Sequence, residues 1–395
     1  MSLNQTPSAE RIHIGFFGVR NAGKSSVVNR ITNQEMSIVS EVKGTTTDAV
    51  KKPMELLPLG AVVIIDTAGI DDEGELGAKR IESTKKILSA CDIAVLVTEN
   101  ADSLNPAESE LVAVFEEKRI PYVIARNKAD LSGKRANTDR DIFVSAKENT
   151  GFEELKEAIA KALGNVKKET RFVVDFIKEN DFVVLVTPID ESAPKGRMIL
   201  PQQQAIRDII DAGAISVVTQ PETLTATLDG LARKPALVVT DSQAFGRVMK
   251  LVPDGIPLTS FSILMARYKG FLDEAVKGAA ALDNLEDGAK VLISEGCTHH
   301  RQCEDIGTVK LPKWLADYTG KSLDLEFTSG HGYPDDLSGY DLVIHCGGCM
   351  LGDAEMKSRM NAAVSQGVPF TNYGTVIAKM NGILDRSIEM VYKNK

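Results

Sequence analysis

The sequence predicts an α/β protein of three domains, and three observations carry that reading. At 395 residues the chain exceeds what one hydrophobic core ordinarily serves, since domains run to about 100–200 residues. Short apolar runs of strand length alternate with amphipathic stretches of helix length, the rhythm of parallel sheets covered by helices. A glycine-rich turn directly follows the first apolar run, where such a sheet takes up phosphate. The polar segment from Gly164 to Thr170 reads as a linker, and the expected domains are residues 1–167, 168–260 and 261–395.

Composition narrows the partners. A net charge of −9 argues against a broad nucleic-acid-binding face, which needs a basic surplus. Met1 to Gln5 has no basic start followed by an apolar run, so no signal peptide is expected. No stretch of about 18 apolar residues suggests a membrane span either, and the expected location is the cytoplasm. Five cysteines, an odd number gathered toward the C-terminus, suit metal ligation in a reducing compartment better than a disulfide framework.

In the first domain, Arg11 to Gly18 is an apolar run suited to a buried parallel strand. Gly18-Val19-Arg20-Asn21-Ala22-Gly23-Lys24-Ser25 then matches the P-loop, whose backbone N–H groups wrap phosphates while Lys24 reaches the β- and γ-phosphates and Ser25 holds Mg²⁺. Ser26 to Thr32 opens the following helix. Ala61 to Ile65 is a second strand ending in Asp66-Thr67-Ala68-Gly69, where Asp66 binds Mg²⁺ through water and the Gly69 N–H senses the γ-phosphate. Gly44-Thr45-Thr46-Thr47-Asp48 supplies switch-type threonines. Ile93 to Val97 and Tyr122 to Ala125 are further strands, the latter leading into Asn127-Lys128-Ala129-Asp130. There the Asp130 carboxylate accepts from guanine N1–H and the 2-amino group, and adenine would leave it unpaired. Ile142 to Val144 precedes Ser145-Ala146-Lys147. Five motifs in this order make GTP/GDP with Mg²⁺ the expected ligand and phosphoric anhydride hydrolysis the expected reaction. The contacts fall to Asn21, Ala22, Gly23, Lys24, Ser25, Ser26, Asp66, Gly69, Asn127, Lys128, Asp130, Ser145, Ala146 and Lys147. Ile70 stands where a Ras-type enzyme carries the water-orienting glutamine, so hydrolysis must draw catalytic groups from elsewhere.

Residues 11–163 resemble the translation-factor-related GTPases, in the branch of the tRNA-modification protein MnmE and the ribosome-assembly protein Era. Gly44 to Asp48 is similar to that branch's Gly-Thr-Thr-Arg-Asp switch, with Thr47 in place of arginine. The resemblance implies Thr46 as a Mg²⁺ ligand and a catalytic group beside Lys24, Asp66 and Gly69. It also implies that Asn21 holds a K⁺ ion near the phosphates, hence slow turnover stimulated by K⁺.

The middle of the chain predicts strands at 182–186, 214–218 and 236–240, with helices near 203–212, 222–231 and 242–251, a small parallel sheet. It holds no His, no Cys and no phosphate loop between Phe172 and Pro257, so assembly is its expected role.

In the last domain, 262–282 has helical periodicity, and strands are expected at 290–294 and 341–344. Cys297 and His299 follow the first of these strands; His345, Cys346 and Cys349 follow the second. Ligands at the C-terminal ends of neighbouring parallel strands converge in one crevice, and soft thiolates beside imidazoles suit zinc or iron–sulfur. Gly347-Gly348 lets both flanking sulfurs face one centre. Three cysteines fall short of the usual four for a 4Fe-4S cube, so the fourth ligand is exchangeable or non-thiolate: His299, His345, Glu304, Asp305 or an exogenous group. Cys303 is a further alternative ligand, and a structural Cys₃His zinc is the competing reading.

A potassium-type GTPase domain, an α/β middle domain, and Cys-x-His followed downstream by His-Cys-x-x-Cys together resemble the HydF family, scaffold GTPases of FeFe-hydrogenase maturation. The resemblance covers essentially the whole chain. It implies a 4Fe-4S cluster on Cys297, Cys346 and Cys349, with His299 and His345 as further or exchangeable ligands, and a homodimer formed through the middle domain. It implies too that a di-iron precursor comes through radical-SAM maturases and goes to FeFe-hydrogenase. The alternative is an RNA-modification or ribosome-assembly GTPase with a structural zinc, which the acidic charge disfavours.

Overall fold

The computed structural model describes residues 8–32, 50–67, 84, 87–132, 135–164, 171–189, 198–296, 306–330 and 332–393. The chain forms two compact units, residues 1–168 with 352–355, and residues 169–351 with 356–395.

The first unit is built on a six-stranded sheet of order β2-β3-β1-β4-β5-β6. Its strands are β1 Ile12–Phe17, β2 Val50–Leu56, β3 Gly60–Asp66, β4 Ile93–Thr98, β5 Tyr122–Arg126 and β6 Asp141–Phe143. All pairings are parallel except β2 with β3. Every residue of β1 and β4 is buried, because helices cover both faces of a parallel sheet and continuous apolar runs are what such strands require. Within the sheet core, Ile14, Val27, Val28, Ile31, Val95 and Leu155 pack the strands against helices Lys24–Thr32 and Phe152–Gly164.

The second unit holds two four-stranded sheets, both parallel throughout. One has the order β10-β9-β7-β8, from β7 Phe182–Val186, β8 Ile215–Thr219, β9 Leu237–Thr240 and β10 Leu258–Ser260. The other has the order β12-β11-β13-β14, from β11 Lys290–Glu295, β12 Asp324–Ser329, β13 Leu342–His345 and β14 Phe370–Asn372. One apolar core runs through both, joining Val184, Val238 and Leu258 to Val291, Val343 and Phe370, and a second packs Val183, Leu185, Leu237 and Val239 of the first sheet.

Each strand expected from the apolar runs lies within one residue of its predicted bounds. The strands β2, β10, β12 and β14 were not expected. β2 carries Lys51, Lys52 and Pro53, a composition tolerated only because it is the antiparallel edge of its sheet. β10 and β14 are too short to show a period.

The helical periodicity over 262–282 resolves into separate helices. Helix Phe261–Tyr268 stops at a Lys269 cap, Gly270 takes φ +77°, and a second helix runs Leu272–Ala279. A left-handed glycine ends the first helix while the apolar spacing continues across the break, so periodicity alone ran the two together.

Candidate nucleotide site and metal centre

At the carboxyl end of β1 the chain turns through Asn21 at φ +65° and Gly23 at φ +82° before entering helix Lys24–Thr32. The turn is tight against the base-side motif. A Cβ on Gly23 would stand 2.2 Å from Nδ2 of Asn127, and one on Gly18 would stand 2.5 Å from the Val97 carbonyl. Asn127 joins three motifs: its Nδ2 donates to the Ala22 carbonyl at 3.1 Å, and its Oδ1 accepts from the Ala146 amide at 3.2 Å. Ser145, fully buried, donates its hydroxyl to Oδ1 of Asp130 at 2.7 Å and accepts from the Glu148 amide at 3.1 Å. The carboxylate that would read the base is therefore held by the motif following β6. Lys128 takes φ +61° and pairs with Glu99, while Ser25, Ser26, Asn21 and Lys147 face solvent.

Lys24 and Asp66, both buried, form an ion pair. The second Asp66 oxygen, Oδ2, is buried with no hydrogen-bond partner. A buried carboxylate oxygen without a hydrogen-bond partner beside a phosphate turn suits a water-mediated Mg²⁺ contact, which would supply the bond that oxygen lacks. The residues present thus fit Mg²⁺ and a nucleoside polyphosphate, with Lys24 exchanging Asp66 for a phosphate. Thr46 and Gly69, assigned to Mg²⁺ and γ-phosphate sensing, lie outside the described residues, as does Ile70.

In the second unit β11 and β13 are parallel neighbours, with Ser294 opposite His345. Gly296, the last described residue after β11, donates its amide to Sγ of Cys346 at 3.1 Å, and the Gly348 amide approaches the same sulfur at 3.4 Å. Cys297 is the next residue in sequence. Cys297, His299, Cys303, Glu304 and Asp305 lie outside the described residues, and no group of three metal-ligating side chains occurs among the described ones. Cys346 and Cys349 are free thiols, both partly buried. Burial pushes Cys346 up to about 11, opposed by the Gly296 amide, and burial also raises Cys349, opposed by the Lys269 ammonium. Gly348, at φ +65°, makes the turn between them, and a Cβ there would stand 2.4 Å from the Met356 sulfur.

The paired thiols and amide donors fit an iron–sulfur core, because backbone N–H groups aimed at a cysteine sulfur stabilise its charged, metal-bound form. His345 is different. It is fully buried, and both ring nitrogens are engaged: Nδ1 lies 2.9 Å from the Cys346 carbonyl, and Nε2 lies 3.1 Å from Nη1 of Arg359. Since a carbonyl can only accept and a guanidinium only donate, the proton sits on Nδ1. Burial, reinforced by the Arg359 charge, pushes the imidazole down to about 3, so it is neutral. In this arrangement His345 presents no free nitrogen, and the imidazole braces the Cys346 backbone. Cys91 is buried with its thiol against the Ile87 carbonyl.

Sequence reasoning passed over two groups here. Lys269 and Arg359, the buried cations beside the cysteine turn, belong to no motif, and nothing in their spacing marks them.

Comparison with known proteins joins these two sites. Residues 172–270 match the hydrogen maturase F dimerization domain and residues 273–390 match the hydrogen maturase F tetramerization domain, together more than half of the chain. The chain belongs to the hydrogen maturase F family. Residues 13–128 match the 50S ribosome-binding GTPase model, so the N-terminal unit of this family member is a GTPase domain.

Among curated proteins, the tRNA modification GTPase MnmE of Heliobacterium modesticaldum is 36% identical over 156 residues, 36% of this chain and 32% of that protein. MnmE of Laribacter hongkongensis is 31% identical over 163 residues, 39% and 35% of the two chains. GTPase Der of Mycoplasmopsis pulmonis is 28% identical over 196 residues, 43% and 44%. The chain thus spans less than half the length of these curated relatives. Among solved structures, Aquifex aeolicus Era aligns with a TM-score of 0.34 at 18% identity, covering 53% of this chain and 92% of that one. No helix among the described residues is long and apolar enough to cross a membrane.

Proposed function

We propose that this member of the hydrogen maturase F family is a GTP-hydrolysing scaffold. In this reading it binds a 4Fe-4S cluster through Cys297, Cys346 and Cys349 and carries a di-iron precursor to FeFe-hydrogenase. The observation that supports the reading is the bond from the Gly296 amide to the Cys346 sulfur, Gly296 being the residue that precedes Cys297 in the sequence. The fourth ligand falls to His299, Glu304, Asp305 or an exogenous group, because the His345 nitrogens are already committed to Cys346 and Arg359. When bound, the cluster supplies an iron site able to exchange a ligand; the chain's part is to present thiolates, donate amides to them and limit water. GTP, held by the P-loop, Asn127 and Asp130, orders the switch residues, and its hydrolysis releases them to regulate exchange with radical-SAM maturases and the hydrogenase. Asn21 holds K⁺, so turnover is slow in Na⁺ and faster in K⁺. The working form is a homo-oligomer in the cytoplasm.

Anaerobic reconstitution of the full chain tests this. A brown protein with stoichiometric iron and sulfide, lost in Cys346→Ser and Cys349→Ser, is expected. Colourless protein holding one zinc would overturn the scaffold reading in favour of a structural zinc, and equal GTPase rates in Na⁺ and K⁺ would remove Asn21 from the mechanism.

A further inference from the structure

The cysteine turn is gripped at both ends by a buried cation. Lys269, 2% exposed, follows helix Phe261–Tyr268 and donates its Nζ to the carbonyl of Leu351 at 2.6 Å, just beyond Cys349. Arg359, 6% exposed, lies in helix Asp353–Ser365 and donates Nη1 to Nε2 of His345 at 3.1 Å, just before Cys346. Its Nη2 donates to the Gly330 carbonyl at 2.6 Å, at the end of β12, and its guanidinium lies 5.2 Å from the centre of the Tyr333 ring. The Tyr333 hydroxyl returns a bond to the Arg359 carbonyl at 3.0 Å. Arg359 therefore ties the turn to two further segments.

The placement of two cations has a chemical meaning. A centre held by three thiolates is anionic, and it becomes more so on accepting an electron. Buried positive charge beside it favours both the assembled and the reduced state, since the effective dielectric there is far below that of water. Net charge around a cluster is one of the levers that set its reduction potential.

We infer that Lys269 and Arg359 are positioning residues of the metal centre: they fix the His345–Leu351 turn in ligating shape and place buried positive charge at the two ends of that turn, holding the anionic cluster and raising its reduction potential. This rests on the scaffold reading above.

The test uses full-length protein reconstituted anaerobically with iron and sulfide, in wild type, Lys269→Met, Arg359→Met and Lys269→Arg. Circular dichroism establishes that each is folded, iron and sulfide content measures retention, and EPR-monitored titration gives the potential. The Met variants are expected to favour the oxidised cluster at least tenfold more than wild type, a shift of about 59 mV to lower potential for a one-electron couple. Lys269→Arg, which keeps the charge, is expected to retain the wild-type potential. Should both Met variants lose the cluster outright while Lys269→Arg keeps it, the charge is the requirement and the inference stands. Wild-type potential and iron content in both Met variants would overturn it, as would a folded Lys269→Arg that behaves like Lys269→Met. Wild-type protein that takes up no iron or sulfide defeats the scaffold reading itself, before any variant is compared.

Discussion

Replacing Asp130 by asparagine tests the base-reading half of the nucleotide site. The Ser145 hydroxyl, 2.7 Å from Oδ1, fixes the side chain, and asparagine keeps an oxygen acceptor for that bond, so the fold should be undisturbed. What changes is the face offered to the base. In the proposed role the carboxylate would accept from guanine N1–H and the 2-amino group, two charge-assisted hydrogen bonds worth about 1.5–3 kcal/mol each. Asparagine sets a donor against at least one of them, so the loss is about 1.5–6 kcal/mol, or roughly 10–10⁴ in affinity at 1.4 kcal/mol per decade. Xanthine carries a carbonyl in place of the 2-amino group and would accept from the new amide. Titration calorimetry of the full chain with GDP and with xanthosine diphosphate reads both effects. GDP affinity within about threefold of wild type, with no gain for the xanthine nucleotide, would refute the assignment of Asp130 and the role of Ser145 in holding it.

Two further predictions concern stability and reactivity. Gly278→Ala would bring a Cβ to 2.0 Å from the Phe370 carbonyl oxygen, forcing helix Leu272–Ala279 off β14, so a loss of at least about 1–3 kcal/mol is expected; an unchanged melting temperature would show that the helix gives way freely. Cys91 is 1% exposed, and burial followed by the nearby Asp92 charge raises its thiol far above neutrality. It should remain unmodified by a thiol reagent at pH 8 in the native apo-protein and react fully in guanidinium, and rapid native labelling of this position would contradict the packing.

Legibility differed among the elements for physical reasons. β1 and β4 could be read because strands buried on both faces must be continuously apolar, a property each residue carries alone. β2 could not, because Lys51, Lys52 and Pro53 are acceptable only at an edge, and which strand is an edge depends on the order of the whole sheet. The two helices over 261–279 merged in the reading because the apolar stripe crosses Gly270 unbroken, and only the φ of that glycine separates them.

The sites divide along the same line. The phosphate turn, the base-reading Asp130 and the thiols at Cys346 and Cys349 are chemistry carried by short contiguous motifs, so spacing along the chain is enough to find them. His345 was read as a candidate ligand from its position beside Cys346, yet the folded chain engages both its nitrogens, and one of the partners is Arg359, fourteen residues away. Lys269 and Leu351 are 82 residues apart, and Gly296 and Cys346 are 50 apart. Residue order alone therefore specified which atoms could bind a phosphate or a metal. Which charges surround them, and which nitrogens are left free, was decided by packing, because electrostatic environment depends on distance through space and burial, neither of which a linear pattern records.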